Sequence, residues 1–247
     1  MKILLQKLLR FAERDASRRL LSVASDERVY AIGDVHGRND LLVAMLERLT
    51  KDACGFGDDR KARFIFLGDY VDRGDQSAQV LQTLCDVKEA SNNSFDFLMG
   101  NHEAAMLAFL EDPIAGANWI GWGGLQTLTS YGIRSASRRP DKNELISMRD
   151  ALQEKAQRHL CFLRSLQRYA VSGDVVYAHA NLEATLPLED QPDEALLWGQ
   201  TSSQQSAGLP GHRLVHGHYA ANDRLCCKNR GLRRLPLSPD GLIIRAL

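Results

Sequence analysis

The feature of the sequence that most constrains its fold is a short apolar run that ends in a polar cluster, repeated along the chain. The first three runs, residues 29–32, 64–67 and 95–99, are each followed by a glycine and then by carboxylate, amide or imidazole side chains. Helical patterns separate the runs, and a strand–helix alternation of this kind is typical of parallel βαβ units. The sequence therefore predicts an α/β (α+β) fold that contains parallel strands.

Two later apolar runs, 174–178 and 214–215, end in histidine. In parallel sheets ligands collect beyond the carboxyl ends of the strands, so the polar residues that follow the five runs are expected to meet there. Three oxygen and three imidazole ligands suit two adjacent divalent metal ions. The candidate metal ligands are Asp34, His36, Asp69, Asn101, His179 and His216.

Asp69 follows the middle strand of the first three, so it is the candidate to bridge the two ions. The first ion is assigned to Asp34 and His36, and the second to Asn101, His179 and His216. Two ions about 3.5–4 Å apart can share a hydroxide and hold a phosphoryl oxygen for in-line attack. The sequence leaves the role of His218 undecided. His159 and His212 are expected to pack or cap and not to bind metal.

Side chains next to the predicted ligands supply the remaining chemistry of phosphoester hydrolysis. His102 is placed to protonate the departing oxygen, and Asp72 is the carboxylate expected to orient its imidazole. Arg73 offers a fork of donors for phosphate oxygens. Asn101 is a candidate substrate-binding residue as well as a candidate ligand.

Composition and charge narrow the classes of partner. Lys plus Arg equals Asp plus Glu at 31 each, which argues against a nucleic-acid partner. Five cysteines without C-x-x-C spacing favour reduced thiols, and with them a cytoplasmic location. No segment has the roughly 20 apolar residues that a membrane span needs. The sequence leaves the oligomeric state open.

The chain is divided into an N-terminal amphipathic extension, residues 1–27, and a single domain, residues 28–247, with a helical insertion at about 113–170. The extension is expected to pack on the domain or to fray, with membrane-surface contact as the weaker alternative. Within the insertion, Trp119 and Trp122 are expected to pack in the core or in a lid, and a substrate platform is the alternative.

The motifs at 33–37, 68–74, 100–103 and 216–218 together resemble those of the phosphoprotein phosphatase family of calcineurin-like metallophosphatases. The likeness is greatest to the bacterial serine/threonine phosphatases related to the phage lambda enzyme. It implies a central β-sandwich flanked by helices, with a dinuclear metal site at the strand ends. It also implies manganese, or iron and zinc, and attack by a metal-bridging hydroxide without a phosphoenzyme. The roles it gives to the ligands, to His102 with Asp72, and to Arg73 agree with those assigned above.

Three positions depart from the family pattern. Asn181 stands where the family has glycine, and asparagine tolerates the positive φ that such a position requires. Gln200 replaces an arginine that acts as a second phosphate clamp in the family. The stretch at 229–236 lacks the usual glycine-rich sequence. Loss of a charged hydrogen bond at Gln200 would weaken transition-state binding by about 1.5–3 kcal/mol.

The expected substrate is therefore a phosphorylated protein, with phosphoserine or phosphothreonine first and phosphotyrosine also considered, or a small phosphoester. One alternative is hydrolysis of diadenosine tetraphosphate, for which Arg38 and Arg134 are the available extra cations. The other is a weakly active scaffold that binds metal and a partner protein, for which Gln200 and the altered tail are the support.

Overall fold

The computed structural model describes residues 22–55, 57, 59–91, 93–137, 139–202 and 209–219, together with the backbone of two short strands at 233–234 and 244–246. The predicted amphipathic helix at the N-terminus and most of the altered stretch at 229–236 lie outside these residues.

Eight strands form two sheets in the described part of the chain. The strands are β1 (Glu27–Ile32), β2 (Lys61–Phe66), β3 (Phe95–Phe97), β4 (Tyr169–Ser172), β5 (Val175–Ala178), β6 (Arg213–His216), β7 (Arg233–Arg234) and β8 (Ile244–Ala246). The larger sheet has the order β3-β2-β1-β8-β7, and the smaller has the order β4-β5-β6. Strands β1, β2 and β3 are parallel to one another, as the sequence predicts, whereas β8 runs antiparallel to β1.

Seven α-helices lie between and beside the strands in the described residues. They are α1 (Asn39–Gly55), α2 (Ser77–Ala90), α3 (Asn101–Glu111), α4 (Leu125–Ser130), α5 (Lys142–Lys155), α6 (Gln157–Arg164) and α7 (Asp193–Trp198). A π-helical turn at Ile120–Gly124 leads into α4, and a 3-10 turn occupies Leu188–Asp190. The region at 113–170 thus contains the π-helical turn and the three helices α4, α5 and α6.

The two sheets pack face to face because β1 and β2 alternate their buried side chains between two cores. On one face, apolar residues of the larger sheet meet those of the smaller one. This inter-sheet core contains Val29, Ala31, Ile65, Leu67, Leu98, Ala170, Val175, Tyr177 and Val215. The predicted β-sandwich is confirmed.

The opposite face of the larger sheet carries an aromatic ladder that packs under the helices. Tyr30 stacks on Phe64 with centroids 5.0 Å apart, and Phe64 stacks on Phe95 at 4.6 Å. These residues are direct cross-strand partners in the parallel register, the geometry in which side-chain pairs stabilise a sheet. Helix α1 covers this face with Leu42 and Met45, which are spaced for one side of a helix.

The parallel register brings the carboxyl ends of β1, β2 and β3 to one edge, because Ile32 pairs with Phe66 and Phe66 pairs with Phe97. In the smaller sheet, Ala178 pairs with His216, so β5 and β6 end together. The loops that follow these five strands carry the polar clusters. None of the described helices combines the length and apolar character that crossing a bilayer requires.

Candidate metal centre and acid dyad

The Asp69 carboxylate lies between two imidazoles that come from opposite sheets. Its Oδ2 is 3.5 Å from His36 Nε2, and its Oδ1 is 3.4 Å from His179 Nε2. Each carboxylate oxygen therefore faces a different histidine. This is the arrangement that a carboxylate shared between two cations requires, and it agrees with the bridging position that the sequence assigns to Asp69.

Backbone carbonyls fix the orientation of both imidazoles. His36 Nδ1 lies 3.0 Å from the Val71 carbonyl oxygen, and His179 Nδ1 lies 2.8 Å from that of Leu67. When Nδ1 donates its proton, the lone pair is on Nε2, which is the tautomer that a metal ion needs. His36 Nε2 is buried without a hydrogen-bond partner. A buried orphan nitrogen aimed at a carboxylate fits a site for a cation.

A second group of converging atoms contains Asn101, His179 and His218. The Asn101 Oδ1 is 2.9 Å from His179 Nε2 and 3.1 Å from His218 Nδ1, and the two imidazole nitrogens are 3.2 Å apart. Together with Asp69, these histidines offer ligand atoms that all lie within 4.8 Å of one another. Two imidazole nitrogens and an amide oxygen that converge in this way can hold a divalent ion.

The structure places His216 differently from the sequence prediction. Its Nδ1 faces the carbonyl oxygen of Gly217 at 3.0 Å, and its ring packs edge-on against Tyr219. Two groups of potential ligands occur in the described residues: one contains His36, Asp69 and His102, and the other contains Asp69, His179 and His218. His216 belongs to neither group. The reason is local: His216 is still the last residue of β6, and the chain turns after it at His218, where φ is 64°.

Asp34 links the two sides of the candidate centre. Its Oδ2 lies 3.9 Å from His36 Nε2, and its Oδ1 accepts a hydrogen bond from the backbone N–H of His218 at 3.1 Å. The Asp34 carboxylate therefore faces the imidazole of His36, and it also positions the backbone of His218.

The electrostatics of the buried groups favour a cation. Burial lowers the pKa of His36 to about 4 and, together with the neighbouring His179, does the same for His218. Neutral imidazole is the form that binds a metal ion. Burial and the nearby Asp34 carboxylate raise the pKa of Asp69 to about 7. A divalent ion between Asp69 and the histidines would stabilise the ionised carboxylate.

A buried dyad lies next to these groups. His102 Nδ1 donates to Asp72 Oδ2 at 2.7 Å, and Arg73 Nη2 is 3.1 Å from His102 Nε2. Burial opposes protonation of His102, but the hydrogen bond to Asp72 and the charge of Asp69 outweigh it and raise the pKa of the imidazole. The predicted pairing of His102 with Asp72 and the predicted proximity of Arg73 are present in the structure.

Two side chains that the sequence did not single out for the dyad hold the Asp72 carboxylate. Trp119 Nε1 donates to Oδ2 at 2.8 Å, and Thr127 Oγ1 donates to Oδ1 at 2.6 Å. Asp72 is fully buried, so these donors, with His102, satisfy an anion that water does not reach. Both come from the region at 113–170, which is tied to the dyad through them.

The backbone at the candidate site is in unusual conformations. Of the six non-glycine residues with positive φ in the described part of the chain, five belong to the candidate site, and the sixth is Asn93. The five are His36, Asp69, Asp72, Arg73 and His218. Each such conformation costs about 1–3 kcal/mol and persists only where the surroundings enforce it, which is typical of functional sites. Gly100 leaves room for this arrangement, since a Cβ there would overlap the Asp69 carboxylate.

Glu103 enforces much of this geometry. Its Oε2 accepts from the backbone N–H groups of Asp69 and Gly100 at 2.8 and 3.0 Å, and its Oε1 accepts from those of Tyr70 and Val71 at 2.7 and 3.1 Å. Burial and the charge of Asp69 raise the pKa of Glu103 to about 7, while the backbone donors act in the opposite direction. The motif analysis assigned no role to Glu103, although this residue follows His102 directly in the 100–103 motif.

Two of the positions that depart from the family pattern, Gln200 and Asn181, differ in exposure. Gln200 is exposed, and its N–H donates to the Glu194 carbonyl oxygen. Asn181 is buried, and its Oδ1 accepts from the N–H of Leu182. Arg38 makes a bidentate ion pair with Asp40, at 2.9 and 2.8 Å.

A profile of the calcineurin-like phosphoesterase family matches residues 27–232, which is most of the chain. The chain belongs to this family, and the family is metal-dependent.

Solved structures similar to this chain include three phosphatases or candidate phosphatases. A cold-active protein tyrosine phosphatase of a psychrophilic Shewanella species is 22% identical, with 68% of this chain and 47% of that chain covered and a TM-score of 0.42. A candidate diadenosine tetraphosphatase is 20% identical, with coverage of 71% and 60% and a TM-score of 0.40. A serine/threonine phosphatase from Saccharomyces cerevisiae is 19% identical, with coverage of 67% and 42% and a TM-score of 0.37. The matches span about half the length of these proteins.

Metal titration distinguishes the roles of His216 and His218. We expect metal-free protein to bind two Mn²⁺ ions per chain and to gain thermal stability, since a ligand that binds only the native state stabilises it. His218→Ala should bind one ion fewer, because His218 faces Asn101 and His179. The control, His216→Ala, should still bind two, as measured by calorimetry. A lost ion in His216→Ala and two ions in His218→Ala would restore the assignment made from the sequence.

The role of Glu103 is open to a test of stability. In Glu103→Gln one oxygen becomes an amide that cannot accept from the two N–H groups it faces. Each buried N–H group left without a partner costs about 1–3 kcal/mol. The free energy of unfolding, measured by urea denaturation, should therefore fall by about 2–6 kcal/mol. Glu111→Gln, at the exposed end of the same helix, is the matched control. Equal stability of the two variants would contradict this role.

Proposed function

We propose that the chain is a metal-dependent phosphomonoester hydrolase that acts on phosphorylated protein side chains, with phosphoserine and phosphothreonine as the first expectation and phosphotyrosine also considered. The observation that carries the proposal is the 3.1 Å approach of Arg73 Nη2 to His102 Nε2, beside the Asp69 carboxylate. In this geometry the Arg73 guanidinium donates to Nε2, so a phosphate-binding cation and the nitrogen that would carry the proton of the acid meet at one place next to the candidate metal centre.

The residues that would hold the metal ions follow from the two converging groups. Asp34, His36 and Asp69 would hold the first ion, and Asp69, Asn101, His179 and His218 the second. When bound, two such ions lower the pKa of water and polarise the phosphoryl group. Manganese is our first choice, with iron or zinc as the alternative, because carboxylate, amide and imidazole ligands suit all three.

The protein side chains supply binding and proton transfer. Arg73 and Asn101 would donate to the phosphoryl oxygens, and Arg73 would offset the charge that develops on them. As water forms a bond to phosphorus and the bond to the ester oxygen breaks, His102 Nε2 would give its proton to that oxygen. The products are an alcohol and inorganic phosphate. Asp72 would hold the imidazole through Nδ1 and stabilise its protonated form.

The alternative of a dinucleotide polyphosphate substrate has less support. A second phosphate group would need further cations near the site, and Arg38 was one of two candidates. Its guanidinium already pairs with Asp40 through two hydrogen bonds, which reduces what it offers to a substrate. The scaffold alternative does not account for the buried pairing of His102 with Asp72 or for the approach of Arg73 to His102. The cytoplasmic location is part of the proposal and rests on the cysteine pattern.

A substrate panel tests the proposed function. Metal-stripped protein reconstituted with Mn²⁺ should hydrolyse p-nitrophenyl phosphate and phosphopeptides faster than diadenosine tetraphosphate, as measured by release of inorganic phosphate or of nucleotides. The unreconstituted protein is the control. Turnover of the dinucleotide alone would overturn the proposal in favour of polyphosphate hydrolysis. Two bound Mn²⁺ ions without turnover of any substrate would favour the scaffold.

The general-acid role of His102 predicts a dependence on the leaving group. His102→Asn should lower kcat by about 10²–10⁴-fold for an alkyl phosphate such as a phosphoserine peptide, whose leaving oxygen needs a proton. The loss should be smaller for p-nitrophenyl phosphate, because p-nitrophenolate departs without protonation. His212→Asn, outside the site, is the control variant. Equal losses on the two substrates would show that His102 does not act as the acid.

A further inference from the structure

Two tryptophans three residues apart have opposite environments. Trp119 is 1% exposed and donates to Asp72, whereas Trp122 is 44% exposed. In a regular α-helix, residues at i and i+3 lie on the same face. Here the π-helical turn at Ile120–Gly124, with Gly123 at φ 118°, separates them. Short π-helical segments occur frequently at functional sites. Trp119 therefore serves the dyad, and Trp122 is left on the surface.

Trp122 precedes a residue that packs on the backbone of Arg73. The next residue, Gly123, packs so closely on the backbone of Arg73 that a Cβ on Gly123 would be 2.5 Å from the Arg73 nitrogen. Arg73 carries the guanidinium that reaches His102. The exposed indole of Trp122 is thus one residue away from the contact between Gly123 and the backbone of Arg73.

A second indole completes the surface. The rings of Trp122 and Trp198 meet edge to face, with centroids 5.5 Å apart, and Trp198 is half-buried at the end of α7. The following residue, Gly199, is in direct contact with the hydroxyl of Tyr219. The Tyr219 ring in turn packs on His218 at 4.8 Å. We call Trp122 and Trp198 the aromatic wall. It connects the Arg73 side of the site to the His218 side.

Resting on the proposed function but reversing its order of substrates, we propose that the aromatic wall binds a planar ring of the substrate next to its phosphate, and thereby selects aryl phosphomonoesters over alkyl ones. An indole pair is large, rigid and apolar, and aromatic rings attract one another beyond the effect of simple burial. An aryl phosphate carries its ring directly on the ester oxygen, so the ring lies next to the phosphate that Arg73 would bind. The phosphotyrosine side chain has this chemistry, and a nucleobase is a second source of a planar ring.

Substrate selectivity gives the first test. In Trp122→Ala, the ratio of kcat/KM for a phosphotyrosine peptide to that for a phosphoserine peptide of the same sequence should fall about tenfold relative to the wild type. The ratio cancels effects that are common to both substrates. Ile146→Ala, an exposed apolar residue on α5, is the matched control and should keep the wild-type ratio. An unchanged ratio in Trp122→Ala would overturn the proposal.

Binding without turnover gives a test that does not depend on catalysis. Phenylphosphonate and methylphosphonate share a head group that is not hydrolysed and differ in the ring. The wild type, loaded with Mn²⁺, should bind phenylphosphonate about tenfold more tightly by calorimetry, and Trp122→Ala should lose this preference. If the wild type hydrolyses no phosphoester but shows the preference, the proposed function fails while the aromatic wall stands.

Further ligands identify the source of the ring. Loss of adenosine 5′-monophosphate binding in Trp122→Ala, with phenylphosphonate binding unchanged, would assign the wall to a nucleobase and overturn the aryl ester. Indoles also attract guanidinium groups. The proposal would likewise be overturned if the wild type preferred a phosphoserine peptide that contains arginine and Trp122→Ala lost that preference. Equal affinity of the wild type for the two phosphonates would exclude any ring-binding role.

Discussion

The candidate site depends on one buried carboxylate that is neither a proposed ligand nor a proposed acid. Glu103 accepts four backbone hydrogen bonds, three of them from consecutive residues of the loop that carries Asp69. That loop also contains Asp72 and Arg73. Asp69, Asp72 and Arg73 all have positive φ. Ionic hydrogen bonds of about 1.5–3 kcal/mol each are large enough to offset left-handed conformations that cost about 1–3 kcal/mol each. The geometry of the bridging carboxylate is therefore set from the first turn of α3.

The sequence predicted the parts of the fold that follow from alternation and spacing. Three parallel strands end at one edge because each apolar run is short and is followed by a helix. The pairings of His102 with Asp72 and of Asp69 with two imidazoles could be anticipated because each residue lies in the short segment after the carboxyl end of a strand. The antiparallel pairing of β8 with β1 could not, since the apolar residues 242–244 favour a strand without indicating its partner or direction.

The choice between His216 and His218 shows where periodicity stops being informative. Both follow the same apolar run, and their spacing as i and i+2 would place them on the same side of an extended strand. The strand ends at His216, however, and φ at His218 is 64°. The N–H of His218 is held by Asp34, 184 residues away in the chain. A hydrogen bond across that separation leaves no local signal in the sequence.

The region at 113–170 shows how one irregular turn can serve two purposes. A regular helix would send Trp119 and Trp122 to the same face, so that a buried partner for Asp72 and an exposed indole near Arg73 could not come from the same turn. The π-helical turn resolves this conflict, and Gly123 lets it pack directly on the backbone of Arg73. The buried dyad and the surface that a substrate would meet are thereby fixed relative to each other. Any shift of this turn that changed the aromatic wall would also disturb the hydrogen bond from Trp119 to Asp72. Substrate selection and proton transfer would then be coupled through the backbone and not through the substrate alone.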